Sequence, residues 1–315
     1  MCFYWKRDGD DLVVVGVYVD DLLATGTSAA AVERFFASLA SLSIKDLGRV
    51  SKFLGMRVTH NGQNGYTLDQ EEAIRDLLRD NGLADANSTW TPIDDSCYEL
   101  EEGDEELLGT PSAKIGPTVT RRAHAPRLAD WKLAKRIARY LKGTAALKIM
   151  MIPEDNLGAA MRLEAFSDAD FAADKTDRKS MTGGIVMLNG MAVSWGARKQ
   201  GGVSLSTIEA EFVAASEVAR ELLGLREMLC EVGVEPTLPM QLWVDNQAAI
   251  AQIAGEASSL KAKHVDVRLK FLCDYSRRGI ITASYVRSEQ MLADLLTKAL
   301  DATKLSTLRA LVRIG

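Results

Sequence analysis

The sequence predicts an α/β protein: a mixed sheet with flanking helices, preceded by a smaller, partial α+β region. Three observations predict it. Strand-like runs come first after Leu163 and then alternate with helical runs, as in a sheet covered by helices. Hairpin-and-helix patterns fill the first 87 residues, before a Pro- and acid-rich stretch. The 315-residue length suits about two domains. The expected division is 1–87, a linker and connection at 88–160, and 161–315.

In the first region, Leu12 to Val19 and Leu22 to Thr25 read as two strands, with Asp20 and Asp21 at the tip. Ala29 to Leu42 has helical spacing. Phe53 to His60 and Tyr66 to Leu68 read as a second hairpin, and Glu71 to Asn81 as a helix stopped by Gly82. Ser88 to Pro117 holds three prolines and an acid cluster and reads as a linker. Asp130 to Leu141 reads as a helix ended by Gly143. Its Leu133, Ile137, Ala138 and Leu141 face inward, and Lys132, Lys135, Arg136 and Arg139 outward.

In the second region, Leu163–Ser167, Gly184–Leu188 and Met191–Trp195 read as successive strands, with Asn189–Gly190 as a tight turn. Val203–Ser206 could add a short strand. A long helix follows over Thr207–Val232, capped by Ser206 or Thr207. Gln241–Val244 is a strand, Gln247–Ala254 and Val265–Arg278 are helices, Ile280–Val286 is a strand, and Met291–Leu300 starts the final helix.

Hydrophobic residues at 47% and charged residues at 26% fit a globular chain, and no uncharged apolar run of about 18 residues predicts a membrane span. The first residues lack an apolar signal core. Four scattered cysteines argue against a cysteine zinc site and for a reduced intracellular compartment. The net charge of −5 is uneven: Lys114 to Lys148 carries ten Lys/Arg against one acid, Asp130. Such a segment fits either a phosphate-binding face or an ordinary solvated surface.

Four acids fall at the ends of elements: Asp168, Glu211, Asp245 and Asp294. Carboxylates gathered at a sheet's carboxyl edge can hold hard divalent cations, and two such ions can drive phosphodiester hydrolysis. Spacing leaves other roles open: Glu211 also fits a helix N-terminal charge, and Asp245 an N-cap.

Local sequence narrows this. AFSDADFA at Ala165–Ala172, RKSMTGG at Arg178–Gly184, SWGARKQ at Ser194–Gln200, LSTIEAEFVAAS at Leu205–Ser216, WVDNQA at Trp243–Ala248, KHVDVR at Lys263–Arg268 and LADLLTKA at Leu292–Ala299 occur in that order. The series closely resembles the ribonuclease H domain of copia-type retrotransposon polyproteins. The resemblance implies a ribonuclease H-like fold that cuts the RNA strand of RNA–DNA hybrids with two Mg²⁺ or Mn²⁺ ions. It assigns metal binding to Asp168, to Glu211 rather than Glu209, to Asp245 and to Asp294, and gives Asp170 no role. Ser206, Thr207 and Asn246 become candidates for backbone contact. His264 fits capping or packing better than proton transfer.

YVDD at Tyr18–Asp21, IKDLG at Ile44–Gly48, FLGMRV at Phe53–Val58 and AKRIARYLKGT at Ala134–Thr144 resemble the palm, thumb and connection of the same family's reverse transcriptase. Asp20 and Asp21 would then be a vestigial polymerase metal site. The family's third polymerase aspartate and its fingers would precede these residues, so polymerase activity is not expected from this chain alone. The stretch GTPSAKIGPTVTRRAHAP before Arg127 is shorter than the family's and lacks its TRPDI-like motif. Expected partners are an RNA–DNA hybrid and the remainder of the reverse transcriptase. Cytoplasmic virus-like particles and the nucleus both stay open as locations. The alternative to an enzyme is a decayed or co-opted remnant that binds nucleic acid or a partner without turnover.

Overall fold

The computed structural model describes residues 2–42, 44–62, 65–93, 97, 127–152, 160–255 and 263–315, without the side chains of 263–269. The acidic stretch at 94–106, most of the expected linker and the basic residues before Arg127 lie outside them. Among the described residues no helix is long and apolar enough to cross a membrane.

Three strands open the chain as an antiparallel meander: β1 (Cys2–Asp8), β2 (Asp11–Tyr18) and β3 (Asp21–Gly26). Helix α1 (Ala29–Ser38) covers one face through Ala31 and Phe35, against Val13, Val15 and Val17. Sequence reading missed β1 because all seven of its residues are exposed, so it shows no alternation.

The second sheet is antiparallel, in the order β4 (Lys52–Phe53), β5 (Met56–His60), β6 (Tyr66–Asp69) and β7 (Ile149–Met151). The single strand expected from Phe53 to His60 is broken by a tight turn. Leu54 (φ 51°) and Gly55 (φ 79°) both sit in the left-handed region that two-residue hairpins use. Helix α2 (Glu71–Asp80) packs against α3 (Leu128–Thr144). Gly143 does not end α3. A Cβ there would stand 3.0 Å from that of Ser88, so the glycine serves close packing. Strand β7 was too short and isolated to read from sequence.

The third sheet has the order β10-β9-β8-β11-β12, built from β8 (Leu163–Asp170), β9 (Met181–Leu188), β10 (Met191–Lys199), β11 (Met240–Val244) and β12 (Ile281–Tyr285). The first three are antiparallel; β11 and β12 run parallel to β8. This is the mixed, ribonuclease H-like sheet the motif series implies. Helices α4 (Thr207–Glu231), α5 (Gln247–Ile253) and α6 (Lys263–Arg277) cover one face, where Leu163, Ala165, Val186, Phe212, Leu242 and Leu272 pack together. On the other face lie α7 (Asp294–Thr297) and α8 (Ala302–Leu311), where Leu308 of α8 and Leu292, just before α7, cluster with Ile185 and Met187. Alternation along β9, with Val186 to one core and its neighbours to the other, is the period-2 signature of a sheet buried on both faces.

Three elements differ from the sequence expectation. Strand β8 runs past Asp168 to Asp170, because β9 pairs with it that far. Residues 203–206 form no strand; they lead into the N-cap of α4, where Ser206 Oγ accepts from Glu209 N. The final helix is two helices. Lys298 is extended (φ −118°, ψ 148°), and Asp301 caps a new helix by accepting from Lys304 N at 2.9 Å.

The paired glycines of the RKSMTGG motif have steric reasons. A Cβ on Gly184 would lie 2.4 Å from Val218 Cγ2 of α4, and one on Gly183 2.5 Å from Thr297 Cγ2 of α7. Each helix approaches its own face of the sheet through the space one of these glycines leaves. Gly184→Ala should therefore overpack the α4 face and cost about 1–3 kcal/mol in urea denaturation. An unchanged midpoint would mean that α4 has room to move.

Candidate metal centre

Asp168, Glu211 and Asp245 come from three elements. Asp168 lies on β8, Glu211 on the second turn of α4, and Asp245 directly after β11. Parallel pairing of β8 with β11 (Val244 opposite Ser167) brings Asp245 beside Asp168. The first turn of α4 separates its two glutamates. Glu209 Oε2 accepts from Leu205 N at 2.8 Å, and Glu209 N donates to the cap hydroxyl of Ser206. Glu211 is left to point at the sheet.

Among the described residues these three acids form the one group whose ligand atoms all lie within 4.8 Å of one another. Asp168 is fully buried and Glu211 nearly so, at 7% exposure. Glu211 Oε2 is a buried oxygen with no hydrogen-bond partner. Burial, then the charges of Asp168 and Asp245, push the Glu211 carboxyl up to about 9; the Ala169 backbone N–H offsets this only in part. Burial and then Asp168 also raise Asp245, and the same two causes raise Asp170.

Asp294 is buried too, but it stands outside that group. It is joined to Asp168 through Lys298, whose Nζ donates to Asp168 Oδ1 at 3.0 Å and to Asp294 Oδ1 at 2.6 Å. Lys304 Nζ donates to Asp294 Oδ2 at 2.6 Å, and Thr297 Oγ1 donates to Asp168 Oδ2. Burial opposes the Lys298 charge. The hydrogen bond to Asp294 and the charge of Asp168 outweigh it and hold the ammonium above its ordinary range. The LADLLTKA motif singles out Asp294; the sequence signal for Lys298 is its i+4 spacing from that acid.

The remaining candidates are placed differently. Asn246 Oδ1 caps α5 by accepting from Ala249 N at 3.0 Å, so the cap is Asn246 and not Asp245. Ser206 is likewise a cap. On α3, Arg136 and Arg139 do not face outward as expected. Arg136 Nη2 donates to Thr91 Oγ1 at 3.0 Å and Arg139 Nε to the Asn87 carbonyl at 2.6 Å. The chain at 86–91 folds back over that face, which helical periodicity does not reveal. Lys132 and Lys135 are exposed, and the Lys135 ammonium lies 5.0 Å from the Trp131 ring centroid. Asp20 and Asp21 are both exposed at the β2–β3 turn, where Val19 takes a φ of 54°. The His264 side chain lies outside the described residues.

The reverse transcriptase (RNA-dependent DNA polymerase) family matches residues 1–95. A retrovirus-related Pol polyprotein from transposon RE1 of Arabidopsis thaliana is 30% identical over 94% of this chain, which spans 21% of that polyprotein. An uncharacterized mitochondrial protein of the same plant, AtMg00810, is 32% identical over 65% of this chain and 91% of its own length. Among solved structures, the N-terminal RNase H domain of a Mycobacterium tuberculosis protein aligns with 48% of this chain and 98% of that one, at 10% identity and a TM-score of 0.34. The fold assignment rests on the strand order and not on that likeness. With relatives of this kind along nearly its whole length, the chain belongs to the Pol polyproteins of copia-type retrotransposons, with a reverse-transcriptase segment followed by a ribonuclease H-like domain.

Proposed function

We propose that the second half of the chain is a divalent-metal endonuclease that hydrolyses the RNA strand of RNA–DNA hybrids. One observation supports this above the others: three carboxylates from distant parts of the sequence lie within 4.8 Å of one another, two of them buried, with Glu211 Oε2 left unpartnered. Buried anions need a counter-charge. An all-oxygen donor set of this kind suits Mg²⁺ or Mn²⁺.

Asp168, Glu211 and Asp245 would hold the metal, with Asp294 entering through Lys298. A divalent ion held there would supply Lewis acidity and activate a water for attack on phosphorus. The protein's own part is placement. Thr297 and Lys298 hold the Asp168 carboxylate, the Ser206 cap sets the start of α4, and Asn246 sets the start of α5. Water adds to the phosphate and the P–O3′ bond breaks, leaving a 5′-phosphate and a 3′-hydroxyl. Selection of a hybrid would come from 2′-hydroxyl contacts and helix shape rather than base edges.

With a labelled hybrid and Mg²⁺, the chain should cut the RNA strand, and Asp168→Asn or Asp245→Asn should lower cutting by orders of magnitude with the circular dichroism spectrum unchanged. Hybrid binding without any cutting by the wild type would point instead to a non-catalytic remnant.

Glu211 gives a metal-free test. Its folded value of about 9 lies above the ordinary 4.5, so the folded chain holds a proton that the unfolded chain releases. Stability in EDTA should fall as pH rises through this window, by up to about 1.4 kcal/mol per pH unit. Glu211→Gln should remove that slope, and saturating Mg²⁺ should flatten it. An identical slope in the variant would assign the effect elsewhere.

For the hybrid contact, Lys132→Ala with Lys135→Ala should weaken binding and flatten its salt dependence. An unchanged salt slope would remove this face of α3 from the interface.

A further inference from the structure

The two sides of Asp168 differ in charge balance. On one side, two buried aspartates meet two ammonium groups. Lys298 Nζ bridges Asp168 Oδ1 and Asp294 Oδ1 at 3.0 and 2.6 Å, and Lys304 Nζ takes Asp294 Oδ2 at 2.6 Å. On the other side, Glu211 and Asp245 have no Lys or Arg bonded to them among the described residues, and Glu211 Oε2 has no partner at all. Neither of these two carboxyls has an ion-pair partner, and a divalent cation would supply one.

We propose that Lys298 is a built-in cation. It fills the position between Asp168 and Asp294, so that the folded chain takes one divalent ion at Asp168, Glu211 and Asp245 and admits a second only where the ammonium is removed. This rests on the metal-centre reading above and deepens it, by replacing the expected pair of ions with one ion and one ammonium. A second ion at Asp168 and Asp294 would have to break both ion pairs of Lys298, in a pocket where each aspartate is fully buried. Bonds to charged groups strengthen away from water, so that exchange is unfavourable. Lys298 is held for the purpose: the α7 turn places it four residues after Asp294, and Thr297 beside it donates to the other oxygen of Asp168. It is a positioning residue, with no role assigned in touching substrate.

The test counts metal on the full chain by isothermal titration with Mn²⁺, with electron paramagnetic resonance of the bound ion as a second readout. The wild type should bind one Mn²⁺, and Asp245→Asn should abolish that binding. Lys298→Met should raise the count from one to two, and Lys298→Arg, which keeps the charge, should stay at one. A count of one in Lys298→Met, with Asp245→Asn still abolishing it, overturns the role of Lys298 and leaves the metal centre standing. Wild-type binding that is absent or indifferent to Asp245→Asn overturns the metal centre and this inference together. Should Lys298→Met fail to fold by circular dichroism, the wild type decides alone: one ion supports the proposal, and two of similar affinity, with coupled spectra, overturn it.

Discussion

Repulsion among buried carboxylates is the constraint around which the second half of this chain is organised. Three acids within 4.8 Å of one another, two of them nearly or fully removed from water, cannot all ionise without a compensating cation. The molecule answers in two ways at once. Lysines 298 and 304 neutralise the Asp294 side through direct ion pairs, and the proton retained by Glu211 relieves the other. A buried pair of this kind adds little net stability, because desolvation offsets most of its attraction. Its value here is geometric: it fixes where Asp168 points before any ligand arrives.

Backbone economy makes that geometry reachable. Asp168 sits opposite Gly183 across the β8–β9 ladder, and Gly183 is where Thr297 of α7 comes down onto the sheet. The hydroxyl that donates to Asp168 arrives through space that any side chain would fill. Gly184, next along β9 and facing the opposite way, does the same for Val218 of α4, the helix that carries Glu211. Two adjacent glycines thus let helices on opposite faces approach one sheet closely.

Sequence alone exposed much of this and missed the rest for identifiable reasons. The three acids at strand and helix ends stood out because motif order and element order agree; strand pairing then brings Asp168 and Asp245 together. Asp294 was grouped with them as an equal, since spacing cannot show that an ammonium stands between. Periodicity placed Arg136 and Arg139 on a solvated face of α3, although the residues that cover them come from the distant 86–91 segment. The apolar pattern through Leu300 suggested one helix, while the break at Lys298 depends on Asp301 capping anew. Strand β1 exposes every residue and so carries no period to read.

The C-terminal residues tie these parts together. Strand β7 pairs with β6 on one edge and, on the other, Lys148 N donates to the Gly315 carbonyl at 2.9 Å while Met150 N donates to that of Arg313. Arg309 Nη1 reaches the Tyr140 hydroxyl on α3 at 3.2 Å. Helix α8 is thereby fastened to the first half of the chain at its end, and to the third sheet by Leu308 and Val312. The same helix carries Lys304, which binds Asp294. Its register along the sheet decides whether that ammonium reaches the carboxylate, and its register is set partly by contacts with elements outside the ribonuclease H-like sheet. The charge balance of the candidate metal centre therefore depends on α3 and β7 as well as on the sheet that carries the acids.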